Sequence, residues 1–175
     1  MSKTMKTART ALKSSIAGVS PLVLTNCAQL SHMATEDIVT LSKHATTRFI
    51  VEGERIFEQG ERADAVYILL DGGIRLERST EEGLAVDQTV EIAYATFGDI
   101  VLLGEEDRRY DATAIRETVA IELPLEAVQE AIESNSPQGV AWRGSIMARL
   151  HRFEPQDADS FSWRILERLS QLTAA

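Results

Sequence analysis

From Arg48 onward the apolar residues fall into short runs with glycines between them, the punctuation of a small all-β sandwich or barrel. The pattern predicts strands at Arg48–Val51, Arg55–Phe57, Ala65–Leu70, Ile74–Glu77, Thr89–Tyr94, Ala112–Arg116 and Val119–Leu123. Glu52-Gly53-Glu54, Gln59-Gly60-Glu61 and Asp71-Gly72-Gly73 each supply a turn glycine able to take positive φ without a Cβ penalty, and the last suits a two-residue hairpin.

On either side of this region the period is helical. Leu30, Met33, Ile38 and Leu41 mark a short amphipathic helix, with Thr35 as its N-cap and Glu36 and Asp37 in the first turn. After Leu123, Pro124 fits a first helical turn, Leu125, Val128 and Ile132 share a face, and Asn135-Ser136-Pro137 stops and restarts the chain. Trp142, Ile146, Leu150 and Phe153 then form a broad apolar stripe with Val140 and Met147 beside it, while Arg143, Arg149 and Arg152 are expected to project elsewhere. Phe161, Ile165, Leu166, Leu169 and Leu172 predict a further amphipathic helix after Pro155. The stripe on Trp142–Phe153 is wider than one small barrel usually covers, so it is expected to pair two copies of the chain.

Length and composition narrow the class. A chain of 175 residues with 44% hydrophobic and 26% charged residues is a folded domain, neither a disordered chain nor a membrane protein. The net charge of −9 disfavours a protein that grips nucleic-acid phosphates. The acidity is concentrated, because residues 52–135 hold 21 Asp/Glu against seven Lys/Arg. The basic N-terminus with Lys3, Lys6, Arg9 and Lys13 precedes an apolar stretch broken by Gly18, Ser20 and Pro21. It therefore reads as a loosely ordered arm over residues 1–26 and not as a signal peptide ending at Cys27. One cysteine rules out an intramolecular disulfide and a cysteine-built metal centre. His32, His44 and His151 have no carboxylate at ligand spacing, and Gly98–Gly104 lacks the Lys-Ser/Thr of a P-loop. No nucleophile–base pair appears, so no enzymatic activity and no metal are expected, and the location is read as cytoplasmic.

Gly53-Glu54-Arg55-Ile56-Phe57, Gln59-Gly60-Glu61, Ala63-Asp64, Val66-Tyr67-Ile68-Leu69, Gly72-Gly73-Ile74-Arg75-Leu76 and Phe97-Gly98-Asp99 stand in an order and spacing that resembles the cyclic-nucleotide-binding domain. The likeness covers roughly residues 27–153, and in detail it resembles the sensory half of the Crp/Fnr transcription regulators. It implies a mainly β fold with flanking helices, a double-stranded β-helix or jelly roll followed by a C-terminal dimer helix. The roll is assigned to residues 27–135, and residues 136–175 to the dimerising and linking helices.

The resemblance also implies a ligand site. In the family a Gly-Glu pair opens a short helix whose N–H groups face a cyclic phosphate, and an arginine neutralises that phosphate. Here Gly98-Asp99 stand in the pair's position, with Asp99 one methylene shorter than Glu, and Ile100 and Val101 begin the helix. Counting forward from Asp99 places Arg108 or Arg109 at the phosphate. Counting back from Ala112-Thr113 places Tyr110 there, with Asp111 beside it. The candidate ligand residues are Gly98, Asp99, Ile100, Val101, Arg108, Arg109, Tyr110 and Thr113, and the implied effector is a cyclic nucleotide, cAMP or cGMP.

A winged helix-turn-helix follows the dimer helix in complete Crp/Fnr regulators. Here the sequence ends soon after residues 164–172, so no DNA binding by this chain alone is expected. The reading is a non-enzymatic, homodimeric ligand-sensing module with a small-molecule effector and a protein partner as its route of action; the alternative is a ligand-free dimeric interaction scaffold.

Overall fold

The computed structural model describes residues 15–79, 83, 85–132 and 136–153. The elements in chain order are β1 (Ser15–Ala17), α1 (Pro21–Leu24), α2 (Thr35–His44), β2 (Thr46–Ile50), β3 (Arg55–Phe57), β4 (Ala65–Asp71), β5 (Ile74–Ser79), β6 (Ala85–Val90) and β7 (Thr96–Phe97). A 3-10 helix (Asp99–Leu103), β8 (Asp111–Ala114), β9 (Thr118–Pro124), α3 (Leu125–Ala131) and α4 (Pro137–Phe153) complete the set.

The strands form two antiparallel sheets, ordered β1-β2-β9-β4-β7 and β3-β8-β5-β6, that enclose the core as a jelly roll. The sequence shows why the central strands differ from the outer ones. Ala65 to Leu69 of β4 are all buried, because one face looks into the roll and the other lies beneath helices: α3 packs on β4 and β9, and α2 packs on α3 and β9. A strand covered on both faces reads as a continuous apolar run. β8 has one covered face, so Ala112 and Ala114 point inward and Asp111 and Thr113 do not.

Several expectations change in three dimensions. Residues 15–26 are not an arm. β1 pairs with β2, Leu24 is fully buried, and Cys27 joins the core. Of the apolar side chains that make this stretch look like a weak leader, Leu24 is buried and Val19 and Val23 pack against the core, while Ile16 and Leu22 stay exposed. The Asp71-Gly72-Gly73 turn is a corner and not a hairpin, since β4 pairs with β9 and β7 while β5 pairs with β6 and β8. Gly72 (φ +99) passes so close to the Thr118 backbone that a Cβ there would collide with it. The strand expected at Thr89–Tyr94 ends at Val90, and the chain turns through Tyr94 at φ 65, whose N–H donates to Leu69 O at 2.6 Å. The α2 cap position is Ala34, with Thr35 already inside the helix.

The α4 stripe is turned inward. Trp142, Ile146 and Leu150 are buried against this chain's own roll, and the exposed side of α4 is Pro137, Val140, Ala141, Gly144 and Ala148. The stripe expected to pair two subunits is thus already covered. The helix expected over 161–172 lies outside the described residues.

Candidate ligand site between the roll and α4

The short strand β7 delivers the chain to Gly98, which sits at φ 69, and the 3-10 helix that follows is buried along its whole length. A side chain at Gly98 would be strained by that φ. Its Cβ would also lie 2.8 Å from Arg108 Nη1 and 3.1 Å from the Phe57 ring. Glycine is therefore required here to let a guanidinium lie against the backbone.

Asp99 is 3% exposed and held by three donors. Thr96 Oγ1 donates to Oδ2 at 2.6 Å, Trp142 Nε1 donates to Oδ2 at 2.9 Å, and Arg149 Nη2 reaches Oδ1 at 2.7 Å and Oδ2 at 2.6 Å. The other Arg149 nitrogen, Nη1, donates to Thr96 O at 2.9 Å. A buried carboxylate is tolerable only when its charge is matched and its lone pairs are engaged, and α4 supplies both requirements. Cys27 lies near this cluster; burial, with the Asp99 charge a smaller cause, pushes its thiol up to about 11. It stays protonated at neutral pH, a poor nucleophile.

Arg108 is the opposite charge in the same site, and it is equally buried at 3%. Its loop is pinned to the Gly60 turn by Arg108 N–H to Glu61 O (2.6 Å) and Gly60 N–H to Arg108 O (2.8 Å). The guanidinium lies 4.2 Å from the centre of the Phe57 ring, in front of a stack in which Tyr67 and Phe97 centroids are 5.1 Å apart. Nη1 donates to Gly98 O at 3.1 Å, and Nη2 meets Asp64 Oδ1 at 3.4 Å. Asp64's side chain is 90% exposed, so water weakens that pairing. Burial lowers the Arg108 pKa from its usual value. Burial also raises the Tyr67 hydroxyl, to about 12, with the charge of Glu122 adding to it.

A cavity lies between these two charges. Its apolar wall comes from Phe57, Leu76, Phe97, Ile146 and Leu150, and its polar groups from Gln88, Asp99, Arg108, Arg109, Tyr110 and Arg149. The volume open to the centre of a water-sized sphere is about 50 Å³, well below the roughly 300–1,000 Å³ of ordinary ligand pockets. A few waters fit; a nucleotide requires α4 to stand further out. A second, larger cleft of about 350 Å³ lies between residues 28–32 and the start of α4, lined by Gln29, His32, Gln138 and Ser145 among others, with no carboxylate or guanidinium.

Of the residues expected from sequence, Gly98, Asp99, Ile100, Arg108, Arg109 and Tyr110 line the first cavity. Val101 is buried in the core beside it. Thr113 is on the other face of β8, opposite Arg55 and Arg75. Asp111, which the backward count sets beside Tyr110, accepts the Gln59 N–H at 2.7 Å. Arg149 and Trp142 were missed as site residues. The signal was present in their spacing, since Arg149 lies seven residues after Trp142 and three after Ile146, which places it on the buried face. No group of three or more His, Cys, Asp or Glu among the described residues could hold a metal, and no helix among them is long and apolar enough to cross a membrane.

The arrangement is that of a jelly roll with a glycine-opened short helix and a buried arginine. Residues 47–135 match the cyclic nucleotide-binding domain, and the chain belongs to that family. Its neighbours include regulators of the Crp/Fnr type. The global nitrogen regulator of Nostoc sp. is 29% identical over 101 residues, which are 57% of this chain and 45% of that protein. This chain thus spans less than half the length of that relative. Among solved structures, the sensor domain of the transcriptional regulator DNR from Pseudomonas aeruginosa shares the fold at a TM-score of 0.64 and 20% identity, over 78% of this chain and 94% of that one. The catabolite activator protein of Thermus thermophilus is 26% identical at a TM-score of 0.57, over 71% of this chain and 58% of that one. The matched family and these neighbours are regulatory.

Proposed function

We propose that this chain is the ligand-sensing module of a Crp/Fnr-type regulator, that it performs no catalysis, and that it takes an anionic small molecule between the roll and α4. The observation that carries this reading is Arg108, a guanidinium with 3% exposure on the wall of a cavity, whose carboxylate partner stands in solvent. Burying a cation is costly unless it is paired, and an anion in the cavity completes the pairing. Gly98, Asp99, Ile100, Arg109 and Tyr110 complete the proposed site. A cyclic nucleotide is the effector class that family membership supports, and its entry is coupled to an outward movement of α4, because ligand and helix compete for one space.

The test is calorimetric titration of the full chain with cAMP, cGMP and inorganic phosphate at low ionic strength. Arg108→Leu should weaken binding at least tenfold and Arg109→Ala should weaken it less. Absence of binding by all three at millimolar concentration, or an Arg108→Leu variant that binds like the parent, would sink the reading.

Dimerisation is part of the same proposal. The exposed α4 side, Val140, Ala141, Gly144 and Ala148, is small enough for close helix approach, and a Cβ on Gly144 meets nothing within 4 Å. Gly144→Glu should turn a dimer into a monomer by light scattering; a parent chain that is already monomeric at tens of micromolar refutes this part.

A further inference from the structure

We propose that the cavity, with α4 in the position described, is a site for a compact inorganic oxyanion of the phosphate or sulfate type, held between Arg108 of the roll and Arg149 of α4, and that this anion opposes the entry of a nucleotide. The proposal rests on the anion-binding reading above and names a second ligand class for the same cavity. Three guanidiniums and one carboxylate line it, those of Arg108, Arg109, Arg149 and Asp99. Asp99 has its counter-ion in Arg149, so an arriving anion meets a matched carboxylate and a surplus of positive charge.

The observation that carries the proposal is an orphaned donor. Arg149 commits both terminal nitrogens to the roll, Nη2 to the Asp99 carboxylate and Nη1 to the Thr96 carbonyl. Its third nitrogen, Nε, is buried and has no hydrogen-bond partner among the described residues. A buried N–H is costly to leave unpaired and is normally satisfied, so this one calls for an acceptor, and its side chain stands on the cavity wall. Arg108 is anchored next to it in sequence terms: Arg108 Nη1 donates to the carbonyl of Gly98, and Arg149 binds the side chain of Asp99, the following residue. The two guanidiniums thus reach neighbouring points of one wall, and planar forks of N–H donors suit the oxygens of a small oxyanion.

Size selects the ligand. The volume of about 50 Å³ holds a few waters, and an oxyanion of one central atom with its oxygens is about that large. A cyclic nucleotide is larger and needs α4 to stand further out, which carries Arg149 away from the cavity. The two ligands therefore favour opposite positions of α4. The small anion ties the helix to the roll, the nucleotide displaces it, and each lowers the affinity for the other.

The experiment uses the full chain with inorganic phosphate and cAMP as probes and sodium chloride at equal ionic strength as the control. In the parent, hydrogen exchange of the α4 amides, residues 137–153, should slow with phosphate and quicken with cAMP. Calorimetry with phosphate held at ten times its own dissociation constant should show the apparent dissociation constant of cAMP raised about tenfold. Exchange that phosphate leaves unchanged or quickens, or that chloride slows equally, overturns the proposal without any variant. Arg149→Met, and Arg149→Lys, which keeps the charge but lacks Nε, should each weaken phosphate at least fivefold while cAMP affinity holds or rises, because the fastening that the nucleotide must break is loosened. A smaller loss for phosphate, or a parallel loss for cAMP, in a variant that a thermal melt shows to be folded overturns the role of Arg149 and the proposal with it. Binding of cAMP with phosphate inert refutes the oxyanion site and leaves the nucleotide reading standing. Phosphate binding with cAMP inert supports the oxyanion site and refutes the nucleotide as effector, whereas failure of both probes refutes the anion site altogether.

Discussion

Asp99 and Arg108 are buried to the same degree on the wall of one cavity, and the chain treats them differently. Asp99 has a full counter-ion and three donors, two of them from α4. Arg108 has an aromatic face, a backbone carbonyl and a solvent-exposed carboxylate at 3.4 Å. The first is an internal fastening that ties α4 to the roll. The second is a buried cation held by weaker contacts, which suits the ligand-receiving role proposed for it. The difference shows that burial alone does not mark a binding residue; what matters is how much of the group's electrostatic demand the protein itself meets.

The strongest way to break the Asp99 side is Trp142→Ala. It deletes a large, 1% exposed side chain and should cost about 3–5 kcal/mol, the usual range for a buried aromatic. Trp142→Phe keeps most of the packing and isolates the indole N–H, for which a bond to a charged acceptor predicts a loss of about 1.5–3 kcal/mol. Denaturant unfolding measures both. If Trp142→Phe is neutral, Asp99 does not depend on its α4 donors and the contrast with Arg108 weakens.

Gly98→Ala strikes the Arg108 side and should have a smaller effect on stability. A non-glycine residue at φ 69 costs roughly 1–2 kcal/mol, and the new methyl group lies against Arg108 Nη1 and the Phe57 ring. The guanidinium must leave Gly98 O, so anion affinity should fall along with the melting temperature. A variant that melts lower and binds phosphate as the parent does would show that Arg108 is not placed by this contact.

The fold was largely legible because its central strands obey simple rules. Val66-Tyr67-Ile68-Leu69 reads as a doubly covered strand, and the glycines fall at the turns. Pairing was less legible, since Asp71-Gly72-Gly73 has hairpin chemistry but serves as a corner between sheets, which only the partners of β4 and β5 reveal. Residues 15–26 look weak as a segment and become ordered through long-range pairing with β2. At the site, the family pattern located Gly98, Asp99 and three candidates for the phosphate contact. It left the choice among Arg108, Arg109 and Tyr110 open because the count runs through a loop. Arg149 was hidden by a sound general rule, that a charged residue on an amphipathic helix faces water. The exception arises because Asp99, 50 residues earlier, meets it inside.

The smallest expected effect belongs to Asp64→Asn, and it is the sharpest test of how Arg108 is held. The Arg108–Asp64 contact is 3.4 Å long and the carboxylate is 90% exposed, so solvent screens the pair and holding the side chain in place costs entropy. Removing the charge should change stability by no more than about 0.5 kcal/mol, as for surface substitutions in general. Anion affinity should hold or rise slightly, since a competing carboxylate beside Arg108 is neutralised. Chemical denaturation and a phosphate titration measure the two effects separately. A loss of about 2 kcal/mol or more would mean that Asp64 holds Arg108 as firmly as Arg149 holds Asp99. The buried guanidinium would then be satisfied by the chain alone, and the reason for assigning it a ligand would disappear.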